Sequence, residues 1–169
     1  VEMLLYIAAG LIFWGFFASI YFDGFLVYRE AAPLLSSSET PLSMAIYVDV
    51  LHMLIMLLLR LIVFFFFALI FLFPLSWVAL LAIPGIFIVV LVAVGMRLFY
   101  GGVGLYTPDL QYLVNPLSLA AFLATPVIWP RTVLSDSQWI ADLNPFTHLL
   151  AIVRDPLLGT LPGFESYIA

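Results

Sequence analysis

The sequence predicts an all-α polytopic membrane protein, and three observations carry that prediction. The chain of 169 residues is 66% hydrophobic and only 9% charged, against about 25% charged in an ordinary soluble domain. Its mean hydropathy is +1.24, so too few polar side chains remain to cover a surface facing water. The apolar residues also fall in long continuous runs. Hydrocarbon admits only helices or closed barrels, because backbone N–H and C=O groups must be satisfied internally. A barrel would show short alternating segments, so the continuous runs select helices. About four spans are expected, plus one short re-entrant helix, in a chain that reads as a fragment of a larger protein.

A span needs about 20 apolar residues, and residues 3–22 supply the first, bracketed by Glu2 and Asp23. No basic region precedes it and no small-residue cleavage site follows, so it reads as a span rather than a signal peptide. Residues 23–47 are polar, with Arg29, Glu30, Pro33, the serines 36–38, Glu39 and Pro41. Within them, Phe25 to Leu35 mixes apolar and polar residues as a short amphipathic helix would. The second span is read over 50–73, ended by Pro74. Ser76 is placed to cap the third, read over 75–97, with Arg97 marking its exit. Pro84 and Gly85 inside it are tolerated where neighbours satisfy the freed carbonyl.

Gly101, Gly102, Gly104, Thr107 and Pro108 make residues 98–112 a loop, and 113–129 a fourth span interrupted by Pro116 and Pro126. Residues 130–169 form the last loop. In it, Asn144 is an N-cap and Pro145 a first helical residue, and Pro156 disfavours helical geometry at Asp155. The helix 144–155 rises only about 16 Å, so it is expected to be re-entrant or interfacial. Alternation puts 23–47 and 98–112 on one side and 130–169 on the other. The arginines divide almost evenly between the sides and do not orient the chain.

Composition excludes several chemistries. The absence of cysteine removes disulfides, thiolate metal sites and cysteine catalysis. All five cations are arginines, against ten acids, for a net charge of -5, which argues against nucleic acid as a partner. With no lysine there is no P-loop, and neither G-x-S-x-G nor H-E-x-x-H occurs. The two distant histidines make a metal site improbable.

Polar residues inside the spans are the informative ones. Asp49, His52, Met56 and Arg60 follow steps of 3, 4 and 4, which places them within an arc of about 80° on one helix face. Arg60 lies about 12 Å deeper than His52. A charge at that depth costs about 2.5–3.5 kcal/mol even on the lenient insertion scale, so Arg60 is expected to face protein or a wet cavity, with a partner. A translocation path and a structural ion pair both satisfy that requirement. Trp14, Trp77 and Trp129 fit an aromatic belt, and Trp14, Phe17 and Tyr21 offer ring faces on which the sugars of a pathway stack. Phe64–Phe67 read as lipid-facing or packing bulk. Arg154 suits a helix C-terminus. His148 and Asp155, seven residues apart, share a helix face that is expected to look into an aqueous exit.

Three stretches together resemble the polysaccharide-export branch of type-2 ABC transporter permeases. They are Leu11-Ile12-Phe13-Trp14-Gly15-Phe16-Phe17, leading to Thr40-Pro41-Leu42; Thr125-Pro126-Val127-Ile128-Trp129-Pro130; and Asn144-Pro145-Phe146-Thr147-His148-Leu149, continuing through Arg154, Pro156 and Gly159. The resemblance implies the second to fifth spans of a six-span permease in a bacterial or archaeal cytoplasmic membrane. It makes 23–47 cytoplasmic, with Phe25, Val27, Arg29, Glu30 and Leu34 coupling to a separate ATPase subunit. ATP and Mg would sit on that partner, with no cofactor in this chain. It implies a second permease copy and a lipid-linked glycan substrate such as O-antigen, capsule or teichoic acid. Trp14, Phe17, Tyr21 and Arg60 become candidates for the path, and Trp129, His148, Arg154 and Asp155 for the exit. One departure stands out: Gly104 to Leu110 keeps only the acid, Asp109, of the family's basic Arg-Asp cytoplasmic motif. The rival readings are a type-2 permease for a drug or small lipid, a non-transporting membrane scaffold and a membrane-embedded glycosyltransferase fragment.

Overall fold

The computed structural model describes residues 2–35, 41, 43–74, 76–107, 109–131, 133 and 138–168, and no strand occurs among them. The helices are α1 (Glu2–Phe22), α2 (Val27–Glu30), α3 (Ala32–Leu35), α4 (Ser43–Ile70), α5 (Ala82–Tyr106), α6 (Leu110–Ala124), α7 (Gln138–Asp142), α8 (Pro145–Leu157) and α9 (Glu165–Ile168). Short 3₁₀ turns at Gly24–Leu26 and Trp77–Leu81 precede α2 and α5. Among the described residues three helical stretches are long and apolar enough to cross a membrane: Met3–Phe22, Ser43–Ile70 and Trp77–Tyr106. The protein is thus an all-α polytopic membrane protein.

Helix α1 is the centre of the bundle. It buries Leu5, Ala9, Phe13, Phe17 and Ile20, close to every fourth residue, and packs against α4, α5, α6 and α8. Helix α4 buries only one seam, Ile46, Val50, Met53, Leu57, Leu61, Phe64 and Ala68. Its other faces expose Leu58, Leu59, Ile62, Val63 and Phe66, an apolar surface suited to lipid rather than water. Helix α5 buries a stripe of mostly small residues, among them Ala82, Gly85, Ala93, Gly101 and Gly104. Small residues let backbones approach closely where burial against lipid supplies no driving force.

Several boundaries differ from the expected ones, each for a local reason. Helix α5 continues nine residues beyond Arg97, through the glycines expected to form a loop. Gly101 and Gly104 lie on the inward stripe, and the packing they permit outweighs their helix penalty of about 1 kcal/mol each. Helix α6 ends at Ala124 because Pro126 holds Thr125 extended, at φ -96° and ψ 137°. Its 15 residues rise about 22 Å, and the stretch after Ala124 is irregular. The segment 25–35 is not one helix but a 3₁₀ turn followed by two four-residue helices parted at Ala31. Pro33 has no N–H with which to continue the ladder to the Arg29 carbonyl. The serines 36–38 and Glu39 lie outside the described residues. Ser76 accepts from the Val78 N–H at 3.3 Å, the cap its position suggested.

Helix α8 has the expected cap, with the Asn144 side chain accepting from the Phe146 N–H at 3.0 Å. It runs past Asp155 and through Pro156 to Leu157. A proline in the last turn forfeits one hydrogen bond, to the carbonyl of Ile152, without ending the helix. The helix is buried along most of its length, from Thr147 to Leu157, with Leu149 and Asp155 partly exposed. Its neighbours are α1, α5, the 3₁₀ turn before α5, α9 and α7.

Candidate functional site

Between α1, α2, α4 and α5 lies a groove of about 340 Å³ lined by Asp23, Glu30, Asp49, His52, Arg60 and Arg97. Met56 also lines it, so the four residues read as one face of the second span do share one surface. Asp23 reaches it because α1 ends at Phe22 and the chain bends there, at φ -106° and ψ 6°. Partial burial pushes the Asp23 carboxyl above its ordinary value; the nearby Arg97 pulls it back and Asp49 adds to the rise.

The groove separates two arginines. Arg97 is 3% exposed and places its Nε 3.1 Å from Asp49 Oδ2. The approach is ionic rather than hydrogen-bonded, and its Nη2 reaches Met53 Sδ at 3.5 Å. The pair ties α4 to α5. Arg60 lies deeper, opposite Gly15: a Cβ on that glycine would sit 2.7 Å from the Arg60 Nη1. Among the described residues no carboxylate comes within 4.0 Å of Arg60. The carboxylate of Asp49 pairs with Arg97, and Arg60 faces the open groove.

At the opposite end of the bundle the polar groups close on one another. The irregular stretch after α6 crosses α1 so tightly that a Cβ on Gly10 would overlap the Val127 carbonyl. Its freed carbonyls find donors. Arg154 Nη1 donates to Pro126 O at 2.7 Å, and the Tyr6 hydroxyl lies 3.2 Å from both Pro126 O and Trp129 O. The Arg154 guanidinium also lies 4.1 Å from the centroid of the Tyr6 ring and pairs with Asp155 at 3.3 Å. Burial pushes the Asp155 carboxyl up, with Arg154 pulling it back. Asn144 donates to Thr125 Oγ1 at 2.9 Å, joining the start of α8 to the end of α6. Backbone groups at membrane depth require such partners.

The predicted site residues divide accordingly. Phe25 and Val27 are buried while Arg29 and Glu30 are exposed, and the Leu34 side chain lies outside the described ones. Trp14 and Phe17 are core residues, at 8% and 0% exposure. Trp14 packs edge-on to Phe146, with centroids 5.6 Å apart, so neither faces a passage within this chain. Tyr21 is half-buried and lines an apolar groove of about 530 Å³ beside α6. Trp129 is partly exposed. His148 does not share an aqueous face with Asp155: it is buried, with Nε2 2.6 Å from Asp142 O and Nδ1 3.3 Å from Ser166 Oγ. A carbonyl only accepts, so Nε2 donates to Asp142 O. A helix face named by spacing alone misses the last segment of the chain, which covers it. Arg97 and Tyr6 were not singled out as partners. For Arg97 a signal existed, since it continues the four-residue stripe Gly85, Val89, Ala93 and precedes Gly101; for Tyr6 there was none.

Three apolar crossing helices, a short buried helix and a charged groove inside the bundle define a polytopic membrane protein built around polar groups rather than a simple anchor. The chain matches the ABC-2 type transporter family over residues 2–158 and belongs to it. It is therefore a membrane-spanning permease component of an ABC transporter, a family that works with an ABC ATPase partner. No curated protein matches the chain.

Proposed function

We propose that this chain forms part of the permease of an ATP-driven exporter of a lipid-linked polysaccharide, such as O-antigen, capsule or teichoic acid. The observation that carries the reading is the groove: charged residues of α4 and α5 open inside an apolar bundle, and the segment between α1 and α4 forms one wall. Asp23 and Glu30 of that segment line the groove beside Asp49 and Arg60, so displacement of the segment alters the groove directly. The exposed Arg29 and Glu30 supply a polar contact for a separate ATPase, on which ATP and Mg bind. Residues 23–47 are then cytoplasmic and 130–169 extracytoplasmic, in a bacterial or archaeal cytoplasmic membrane. A second copy completes the passage, with Tyr21 and Arg60 on its wall. The glycan assignment is supported by the resemblance of the stretches around Thr125-Pro126 and Asn144-Pro145, which meet through the Asn144 to Thr125 hydrogen bond.

The test is export in cells. Arg29→Ala with Glu30→Ala should leave the ATPase bound but uncouple its hydrolysis from appearance of surface glycan. A cysteine at position 29 should be labelled only from the cytoplasm. Labelling from outside reverses the orientation, and normal glycan export with impaired drug efflux assigns the substrate to the drug class.

A further inference from the structure

We infer that α5 is the rod that carries movement of the segment after α1 to α8, with Gly104 and Gly85 as its two bearings. This rests on the coupling role proposed above and adds the route. At one end of α5, a Cβ on Gly104 would overlap the Phe25 carbonyl, and one on Gly101 would come within 2.8 Å of Val27 and Tyr28. The Phe25 and Tyr100 rings, 4.8 Å apart, close the same joint. At the other end, a Cβ on Gly85 would sit 2.5 Å from the Ile152 carbonyl. That carbonyl is the one Pro156 leaves without its helical hydrogen bond, so it is free to meet the Gly85 backbone, as carbonyls do at close helix interfaces. The two bearings are 19 residues apart on an unbroken helix, about 28 Å, close to the thickness of a hydrocarbon core.

Backbone seated on backbone leaves no side chain to change rotamer and absorb a displacement. The competing routes are softer. Helix α1 joins the segment through the bend at Asp23 and meets α8 through rings, Trp14 and Tyr21 on Phe146. Helix α4 meets α2 through the side chains of Val27, Ile46 and Val50. A packed interface moves as a unit rather than deforming continuously, so the stiff joints decide which helix follows the segment.

The chain has no cysteine, so introduced pairs report cleanly. In the full transporter with its ATPase, in nanodiscs, spin labels are placed at Ala32 and Leu98, at Phe87 and Thr160, and at Ala32 and Leu59. All five sites are exposed. On trapping with ATP and vanadate, the first two distances should hold to about 2 Å, the scale of ordinary interface shifts, while the third changes by more. Change in either of the first two as large as in the third overturns the rod, and so does constancy of all three while ATP is hydrolysed. Gly85→Ala should keep ATP hydrolysis and lower export about tenfold, within the usual range of coupling free energies. Gly95→Ala on the same helix, where a Cβ meets nothing within 4 Å, should change neither. If Gly85→Ala fails to assemble, the label distances decide. A wild-type complex that assembles yet shows no export-linked ATP hydrolysis overturns the permease reading instead, independently of whether the distances hold.

Discussion

Arg154 and Arg60 carry the same guanidinium on apolar helices, but the two ends of the bundle treat them differently. Arg154 is 3% exposed and meets Pro126 O, the Tyr6 ring and Asp155. Arg60 opens into a groove, with no carboxylate within 4.0 Å among the described residues. A buried guanidinium with its donors satisfied holds structure, because removing it strands its partners. One left facing a groove contributes little to the fold and is available to whatever enters. The Arg97–Asp49 pair lies between these cases, closed but on the groove wall.

The sharpest way to break this comparison is Arg154→Ala. It leaves the Pro126 carbonyl and Asp155 without their cation, and the expected loss is about 3 kcal/mol or more, read as a lowered midpoint of denaturant unfolding in detergent. A change below about 1 kcal/mol, the size of an exposed pair, would show that the knot is not held by this residue.

Next comes the pair on the groove wall. Arg97→Met alone should destabilise by about 3 kcal/mol, since it leaves Asp49 partly buried and unpaired. Combining it with Asp49→Leu should recover most of that loss, because both charges are then gone. A double-mutant cycle that closes additively would mean that the two groups do not interact.

Asn144→Ala removes both the cap on α8 and the link to Thr125, and the expected loss is about 1 kcal/mol. Asn144→Asp keeps the cap and separates the two effects.

A smaller effect should appear in pH dependence. Burial raises the Asp155 carboxyl in the folded state, so the fold binds this proton more readily than the unfolded chain does. The resulting deficit is present above the folded value and disappears as the pH falls through it toward the unfolded value of 3.8. Asp155→Asn should therefore flatten the wild-type rise in stability on acidification. Identical pH profiles would exclude a contribution from this carboxyl.

Smallest of all on stability is Arg60→Gln, expected to shift unfolding by less than about 1 kcal/mol while lowering export. A large loss of stability with export retained per folded molecule would turn the comparison around, making Arg60 structural.

The solvent, the helical class and the three long apolar helices were legible without coordinates, because lipid imposes them through composition and run length alone. The polar face of the second span was legible too, since 100° per residue is a property of one helix. So were the caps at Ser76 and Asn144, whose signals act within three residues of themselves. The extension of α5 through its glycines was not, because it depends on a neighbouring backbone that only close packing brings near. Nor was the choice of Arg97 over Arg60 as the partner of Asp49. Both are arginines on apolar helices, and only the crossing of α4 with α5 selects one. Likewise His148 is covered by Ser166 from the far end of the chain. Local rules carried the helices and their ends, while the pairing of charges is a property of the distances between helices, which tertiary packing alone sets.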